Sequence, residues 1–498
     1  MSRRGTGVSA GAVTATASLY IGGRWSEAAS GERADAVSPA TGEVIGTVAQ
    51  GTREDVDRAA RAARAAWPGW AARSAFERAA ALERVADAME RRRDDLARTL
   101  SVDQGKPLAT EAHAEVDEAI EYARMAAGDV RRLDGLMPPS VSADKRVLVY
   151  RVPRGVVAAI TPWNWPYAMA AELIAPAIAA GNAVVWTPAP TTSLCAQALA
   201  ECIEEAELPP GVFNLVTGEG PVVGDAAAGH PAVSAVGFIG SIETGLSVAR
   251  RAAGKAQLLE LGGNGPCVVL DDADLDLAVE ATLTSCFLCS GQSCIAGERL
   301  LVHEAVHGEF VERLARAIER DVRLGDPLDP ATTMGPVNNE GVAAKMDAHV
   351  ADAVDRGARL LVGGRRDDDR PTRLYWQPTL LDGVDADMAV AREETFGPIA
   401  PVLTIRSEAD ALAAVDDSPH GLLCSVFTRD LGRALRFAER VRVGWVNVNA
   451  TTNYWESHLP FGGRAGSLSG VGRAGGRFAL EGAFTELKTV VLDVGGGD

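Results

Sequence analysis

Between residues 155 and 262 the chain repeats one pattern five times: a short, almost wholly apolar run followed by a segment with helical spacing. The apolar runs fall at 155–160, 183–186, 212–216, 235–238 and 257–261. Runs without polar alternation belong to strands buried on both faces, and strands separated by helices form a parallel sheet. The fold class is therefore α/β, with a doubly wound parallel sheet. Ligands on such sheets bind outside the carboxyl ends of the strands. Asn164, Thr187, Gly218, Gly240 and Glu260 all fall at or just past those ends. A second α/β unit follows to about residue 465, with strands near 267–270, 300–303, 360–362, 402–405, 424–427 and 445–448.

Ahead of this region, three amphipathic helices are expected. Thr52 with Asp55 reads as a cap before 56–67, and Ser74 with Glu77 as a cap before 78–100. A third helix spans about 108–127. Residues 141–152 alternate like one strand of an antiparallel hairpin, and 485–494 reads as one more strand. Residues 1–18 read as a disordered tail and 495–498 as a floppy end.

The chain has 498 residues, 47% hydrophobic and 23% charged, as in ordinary globular proteins. Its net charge of −18 argues against nucleic acid or an anionic membrane surface as partner. No apolar run is long enough to span a bilayer; the longest, 168–180, is interrupted by Glu172 and Pro176. A cytoplasmic protein is the expectation. Seven cysteines without regular spacing give no disulfide framework. Cys286, Cys289 and Cys294 lack a fourth ligand at zinc-site spacing, so no metal is expected.

Cys294 sits in a polar loop flanked by glycines, Gly291-Gln292-Ser293-Cys294-Ile295-Ala296-Gly297. Alone, it reads either as a nucleophile or as a small buried hydrophobe. Further motifs surround it in the chain. They are Thr161-Pro162-Trp163-Asn164-Trp165-Pro166, Gly240-Ser241-Ile242-Glu243-Thr244-Gly245, Glu260-Leu261-Gly262-Gly263-Asn264-Gly265-Pro266, Glu393-Glu394-Thr395-Phe396-Gly397-Pro398 and Pro460-Phe461-Gly462-Gly463. In this order and spacing the chain resembles the NAD(P)-dependent aldehyde dehydrogenase superfamily, from about Leu19 to Val494. The resemblance implies a Rossmann-like nucleotide-binding domain over 19–133 and 154–262 and a catalytic domain over 263–465. It also implies a small β oligomerisation element from 134–153 and 483–498, hence a homodimer or homotetramer.

It further implies that Cys294 attacks the aldehyde carbon, forming a thiohemiacetal and then a thioester. Asn164 and the Cys294 N–H would stabilise the oxyanion, each donor worth about 3 kcal/mol. Glu260 would be the general base that activates water. Each has a plainer reading: Asn164 as the cap of the helix beginning near Pro166, Glu260 as an exposed strand-end carboxylate.

For the cofactor, the helix opened by Gly240 and Ser241 would meet a pyrophosphate with its N-terminal N–H groups. Gly245 permits close helix approach, and Gly218 lies on the neighbouring loop. Thr161, Pro162, Trp163, Leu261, Gly262, Glu394 and Phe396 complete the expected cofactor set. Gly262 and Gly263 serve either close approach or a sharp turn. Where relatives usually carry lysine, this chain has Thr187, followed by Pro188-Ala189-Pro190. With no cation visible for a 2′-phosphate, NAD is expected to be favoured, with NADP as the alternative.

The expected substrate residues are Trp165, Met169, Glu172, Ser293, Ile295, Trp455 and His458. Relatives that oxidise succinate semialdehyde tend to carry arginine where Glu172 stands. A carboxylate there repels a substrate carboxylate, so a neutral, aromatic or amine-bearing aldehyde is expected. In the plainer reading Glu172 pairs with a nearby base and points away. Two residues beyond the usual family length lie between Gly463 and Ser469. Two rival functions remain at this level: a non-oxidising binding or scaffold relative, and an enzyme that passes its thioester to an acceptor other than water.

Overall fold

A computed structural model describes residues 15–495. An eight-stranded sheet carries the repeated pattern. Its parallel centre runs Ala256–Leu261, Val233–Gly240, Val156–Thr161, Ala183–Pro188 and Phe213–Leu215. The first strand in sequence lies in the middle, so the chain winds outward in both directions. The reversal falls between Val156–Thr161 and Val233–Gly240, and a ligand crevice opens at such a point. Every residue of Val156–Thr161 and Ala183–Pro188 is buried, because helices cover both faces.

The second sheet has seven strands, in the order Arg359–Val362, Thr379–Asp382, Ile399–Ile405, Gly297–His303, Gly265–Val269, Leu423–Phe427, Trp445–Val448. All pairs are parallel except the one between Arg359–Val362 and Thr379–Asp382. Thr379–Asp382 was not expected; its four residues are too short to show a period. A separate antiparallel pair joins Lys145–Pro153 to Thr485–Asp493 over nine residue pairs.

The two capping boxes form as expected, at Thr52/Asp55 and Ser74/Glu77. The helix expected over 78–100 is two helices, Ala75–Arg91 and Arg93–Asp103, broken at Arg92. The expected tail shortens: Ala15–Ala17 is a strand parallel to Val44–Ala49. The rest of the tail, 1–14, and the end, 496–498, lie outside the described residues. Among the described residues, no helix is long and apolar enough to cross a membrane, and no His/Cys/Asp/Glu group is arranged to hold a metal.

The segment with the two extra residues folds back on 419–421. Arg464 N–H donates to the Gly421 carbonyl and Leu468 N–H to the Pro419 carbonyl, both at 2.9 Å. Gly470–Val471 then adds an antiparallel strand beside Leu259 and Glu260.

Candidate active site

A cavity open to solvent lies between the carboxyl ends of the first sheet's strands and the amino ends of the second sheet's strands. Cys294, Asn164 and Glu260 all line it. Cys294 follows the helix Leu275–Phe287 and a turn in which Cys289, Ser290 and Gly291 all have positive φ, 52°, 55° and 70°. The first two are not glycine, so this backbone is strained and needs outside support. Glu111 accepts from Cys289 N–H (3.0 Å), Ser290 Oγ donates to the Gly335 carbonyl (2.8 Å), and Gln292 Nε2 bonds the Cys289 carbonyl (2.8 Å). A Cβ at Gly291 would stand 2.2 Å from the Gly397 carbonyl oxygen, so only glycine fits. The reversal turns the chain so that Cys294 emerges partly exposed while its neighbours Ser293 and Ile295 are buried.

Asn164 does not cap the following helix. Its Nδ2 crosses to donate to the Gln292 carbonyl at 3.0 Å, fixing the amide beside the Cys294 loop. The helix start is held instead by Glu115, which accepts from Tyr167 N–H at 2.9 Å.

Glu260 is only 4% exposed, and neither carboxylate oxygen has a protein partner. The exposed strand-end reading therefore fails. Burial, with Glu172 nearby, pushes its carboxyl well above the usual range; Arg473 opposes this. A buried carboxylate without a hydrogen bond is costly, and one facing a cavity is free to take a proton there. Burial also raises the Cys294 thiol, reinforced by Glu394, Glu260 and Glu172.

The expected cofactor residues divide. Pro162, Trp163, Gly240, Ser241, Leu261, Gly262, Glu394 and Phe396 line the cavity. Trp163 meets Phe396 edge-on at 5.5 Å. Phe396 has φ 60°, and Glu298, which the sequence reading missed, steadies it by accepting from the N–H groups of Thr395 (2.9 Å) and Phe396 (2.6 Å). Thr161 does not line the cavity; its hydroxyl accepts from Trp186 Nε1 (2.8 Å). Thr187, Gly218 and Gly245 also lie outside it. The Thr187 hydroxyl is buried with no protein partner. A Cβ at Gly245 would stand 2.1 Å from Leu261 Cδ2, so the glycine lets the helix Ile242–Arg251 sit against the strand end. The groups suit a dinucleotide: a helix start whose first-turn N–H groups are capped by Ser241 only at Thr244, a buried hydroxyl without a partner, and an aromatic slot.

Gly262 and Gly263 have no positive φ, so close approach rather than a sharp turn explains them. Cβ atoms there would stand 2.5 Å from Glu394 Oε2 and 2.2 Å from the Cys294 carbonyl oxygen.

Of the expected substrate residues, Trp165, Met169, Glu172, Ser293, Ile295 and Trp455 line the cavity, and His458 does not. His458 is 58% exposed beside Glu456, on a separate surface groove, because the chain turns outward after Trp455. Glu172 meets no base. It accepts from Tyr122 OH at 3.3 Å, and burial pushes its carboxyl up to about 7. Tyr122 and Lys345 also line the cavity and carried no signal in the sequence, being single residues on helices that pack as scaffold. None of residues 464–468 lines it.

The aldehyde dehydrogenase family pattern matches residues 25–490. The chain belongs to that family and is an NAD(P)-dependent aldehyde dehydrogenase. It is 40% identical over 475 residues to 3-sulfolactaldehyde dehydrogenase of Pseudomonas putida, covering 95% of this chain and 96% of the relative. It is also 40% identical over 474 residues to succinate-semialdehyde dehydrogenase [NADP(+)] of Escherichia coli (strain K12), covering 95% and 97%. Among solved structures, betaine aldehyde dehydrogenase from Staphylococcus aureus in complex with NAD+ is similar with a TM-score of 0.92 and 35% identity, over 96% of this chain and 95% of that one.

Proposed function

We propose that this enzyme oxidises a neutral, aromatic or amine-bearing aldehyde to its acid, with Cys294 as nucleophile, Asn164 as oxyanion donor and Glu260 as general base. The convergence of these three side chains on one cavity carries the reading. The Cys294 thiol gives its proton to water in the cavity as its sulfur adds to the carbonyl carbon. The oxyanion formed accepts from Asn164 Nδ2 and Cys294 N–H. Trp163, Gly240, Ser241, Glu394 and Phe396 would hold NAD(P)+, whose nicotinamide would supply the hydride acceptor for the collapsing oxyanion. The thioester left on Cys294 is attacked by water as Glu260 accepts its proton, which frees the acid and the thiolate. Cys294→Ala and Asn164→Ala should remove turnover, the second by about 10²–10³-fold. Retention of parent turnover by either variant refutes the assignment. A free acid, rather than an amide or a new thioester, is the expected product.

Substrate class follows from Glu172. Among the described residues, Lys345 is the one cationic side chain lining the cavity, and its Nζ donates to the Glu394 backbone carbonyl at 3.1 Å. Tyr122, Trp165, Met169 and Trp455 line the same cavity as Glu172 and offer no cation to a substrate carboxylate. The second reading, a semialdehyde acid, is favoured by relatives named for succinate and glutarate semialdehydes. An aldehyde panel read by NAD(P)H absorbance separates the two. Glu172→Arg should raise activity on succinate semialdehyde, and no change would sink the substrate reading.

NAD is the proposed preferred cofactor. Thr187 offers no charge, and Arg250 and Arg251 lie in the last turn of their helix, away from the end that faces the cavity. Tenfold better NADP affinity would reject this. We also retain the domain boundaries given above. The pair Lys145–Pro153 and Thr485–Asp493 exposes Tyr150, Leu487, Val491 and Leu492, which supports a dimer or a tetramer of dimers, to be measured by light scattering.

A further inference from the structure

Lys106, Glu111 and Glu115 take no part in the chemistry above, yet all three are more than nine-tenths buried. Charged groups are kept inside only where partners compensate them. Lys106 Nζ pairs with Glu115 and lies 3.6 Å over the Trp165 ring. Glu115 accepts from Tyr167 N–H at 2.9 Å, holding the segment that carries Asn164. Glu111 accepts from Cys289 N–H at 3.0 Å, at the first residue of the left-handed turn before Cys294. Gln104, two residues before Lys106, donates to Cys289 Sγ at 3.5 Å, and that thiol donates to the Asn164 carbonyl at 3.6 Å. Residues 104–115 thus grip both loops from behind. The bond from Asn164 to the Gln292 carbonyl closes the circuit at the front.

We propose that Lys106, Glu111 and Glu115 are positioning residues that set the separation between the two oxyanion donors, the Asn164 amide and the Cys294 N–H. This rests on the roles proposed for Asn164 and Cys294. Glu111 is the sharpest lever, because it supports a turn whose backbone is strained at two residues that are not glycine. Trp165 transmits the second hold: Lys106 lies against its ring, and the ring lines the substrate cavity.

The experiment uses the full-length enzyme with an aldehyde that the parent oxidises. Glu111→Ala removes the acceptor, Glu111→Gln keeps one, and Glu111→Asp keeps the charge but shortens its reach. Stopped-flow absorbance gives the rate of the first NADH-forming turnover, and fluorescence titration gives NAD+ affinity. A misplacement approaching 1 Å at the reacting centre costs about 10²-fold. Glu111→Ala and Glu111→Asp should therefore slow the first turnover about 10–10²-fold with NAD+ affinity unchanged, and Glu111→Gln should restore most of the rate. A folded Glu111→Asp with the parent's first-turnover rate overturns the proposal even where Glu111→Ala fails to fold. So does an equal fall in melting temperature across all three variants with no change in rate. Asn164→Ala and Cys294→Ala run alongside. If they turn over normally, the oxyanion assignment falls and takes this inference with it; if they are dead while the Glu111 variants match the parent, only the positioning role falls.

Discussion

Gly263→Ala tests how tightly the strand carrying Glu260 is packed against the Cys294 loop. Gly263 follows the strand that carries Glu260, and a Cβ there would stand 2.2 Å from the Cys294 carbonyl oxygen. Such contacts essentially never fall below 3.0 Å, so about 0.8 Å of backbone must open. Neither side yields freely. Gly263 N–H donates to Glu394 Oε1 at 3.0 Å, while the nucleophile loop is tied by the Asn164 bond to Gln292 and by Ser293 Oγ to Asn453 at 2.7 Å. A shift of this size at the reacting atom should lower kcat about 10²-fold, or ~2.7 kcal/mol in activation free energy. Overpacking should also cost about 1–3 kcal/mol of stability, so rates are compared well below the melting temperature. Gly308→Ala is the control: it lies in the helix Glu304–Asp321, its Cβ would meet nothing within 4 Å, and it should gain about 0.5–1 kcal/mol. NADH absorbance, thermal melting and the alkylation rate of the Cys294 thiol give the three readouts. A folded Gly263→Ala enzyme with kcat within about twofold of the parent would refute the reasoning.

Three other outcomes follow from the buried carboxylates. Glu260→Gln should release roughly one NADH per subunit in a burst and then stall, since the thioester loses its base; steady turnover at the parent rate would contradict this. Glu172 ionises near pH 7, so the ratio of kcat/KM for succinate semialdehyde to that for a neutral aldehyde should fall several-fold as pH rises through about 7; a flat ratio would remove Glu172 from specificity. Glu172 also affects stability. Its folded value, about 7, exceeds the ordinary 4.5, so it favours folding below pH 4.5 and loses that contribution as pH rises through 7. The change is on the order of 3 kcal/mol, and Glu172→Gln should flatten the melting temperature across that window relative to the parent.

The strand–helix alternation of 155–262 was enough to fix a parallel sheet, because the burial of both faces is written in contiguous residues. The same holds for Asn164, Glu260 and Cys294: each stands at the end of an element whose boundary is marked locally by glycine, proline or polar residues. Thr379–Asp382, although bounded by Pro378 and Gly383, is too short to show a period, and the break at Arg92 falls inside a continuous helical pattern. The pairing of Gly470–Val471 with Leu259 and Glu260 joins residues some 210 apart in the chain.

What the amino-acid order determined, then, was the fold class and the kinds of chemical group set at strand ends, since these depend on periodicity and on neighbours a few residues away. Only the tertiary structure decided that Glu260 is buried without a partner, that Asn164 reaches Gln292 rather than capping its helix, that His458 faces outward, and that Lys106, Glu111 and Glu115 stand behind the Cys294 loop. Those outcomes depend on contacts between residues far apart in the chain, and on how much water each group loses when the two sheets close on the cavity. No local pattern encodes either.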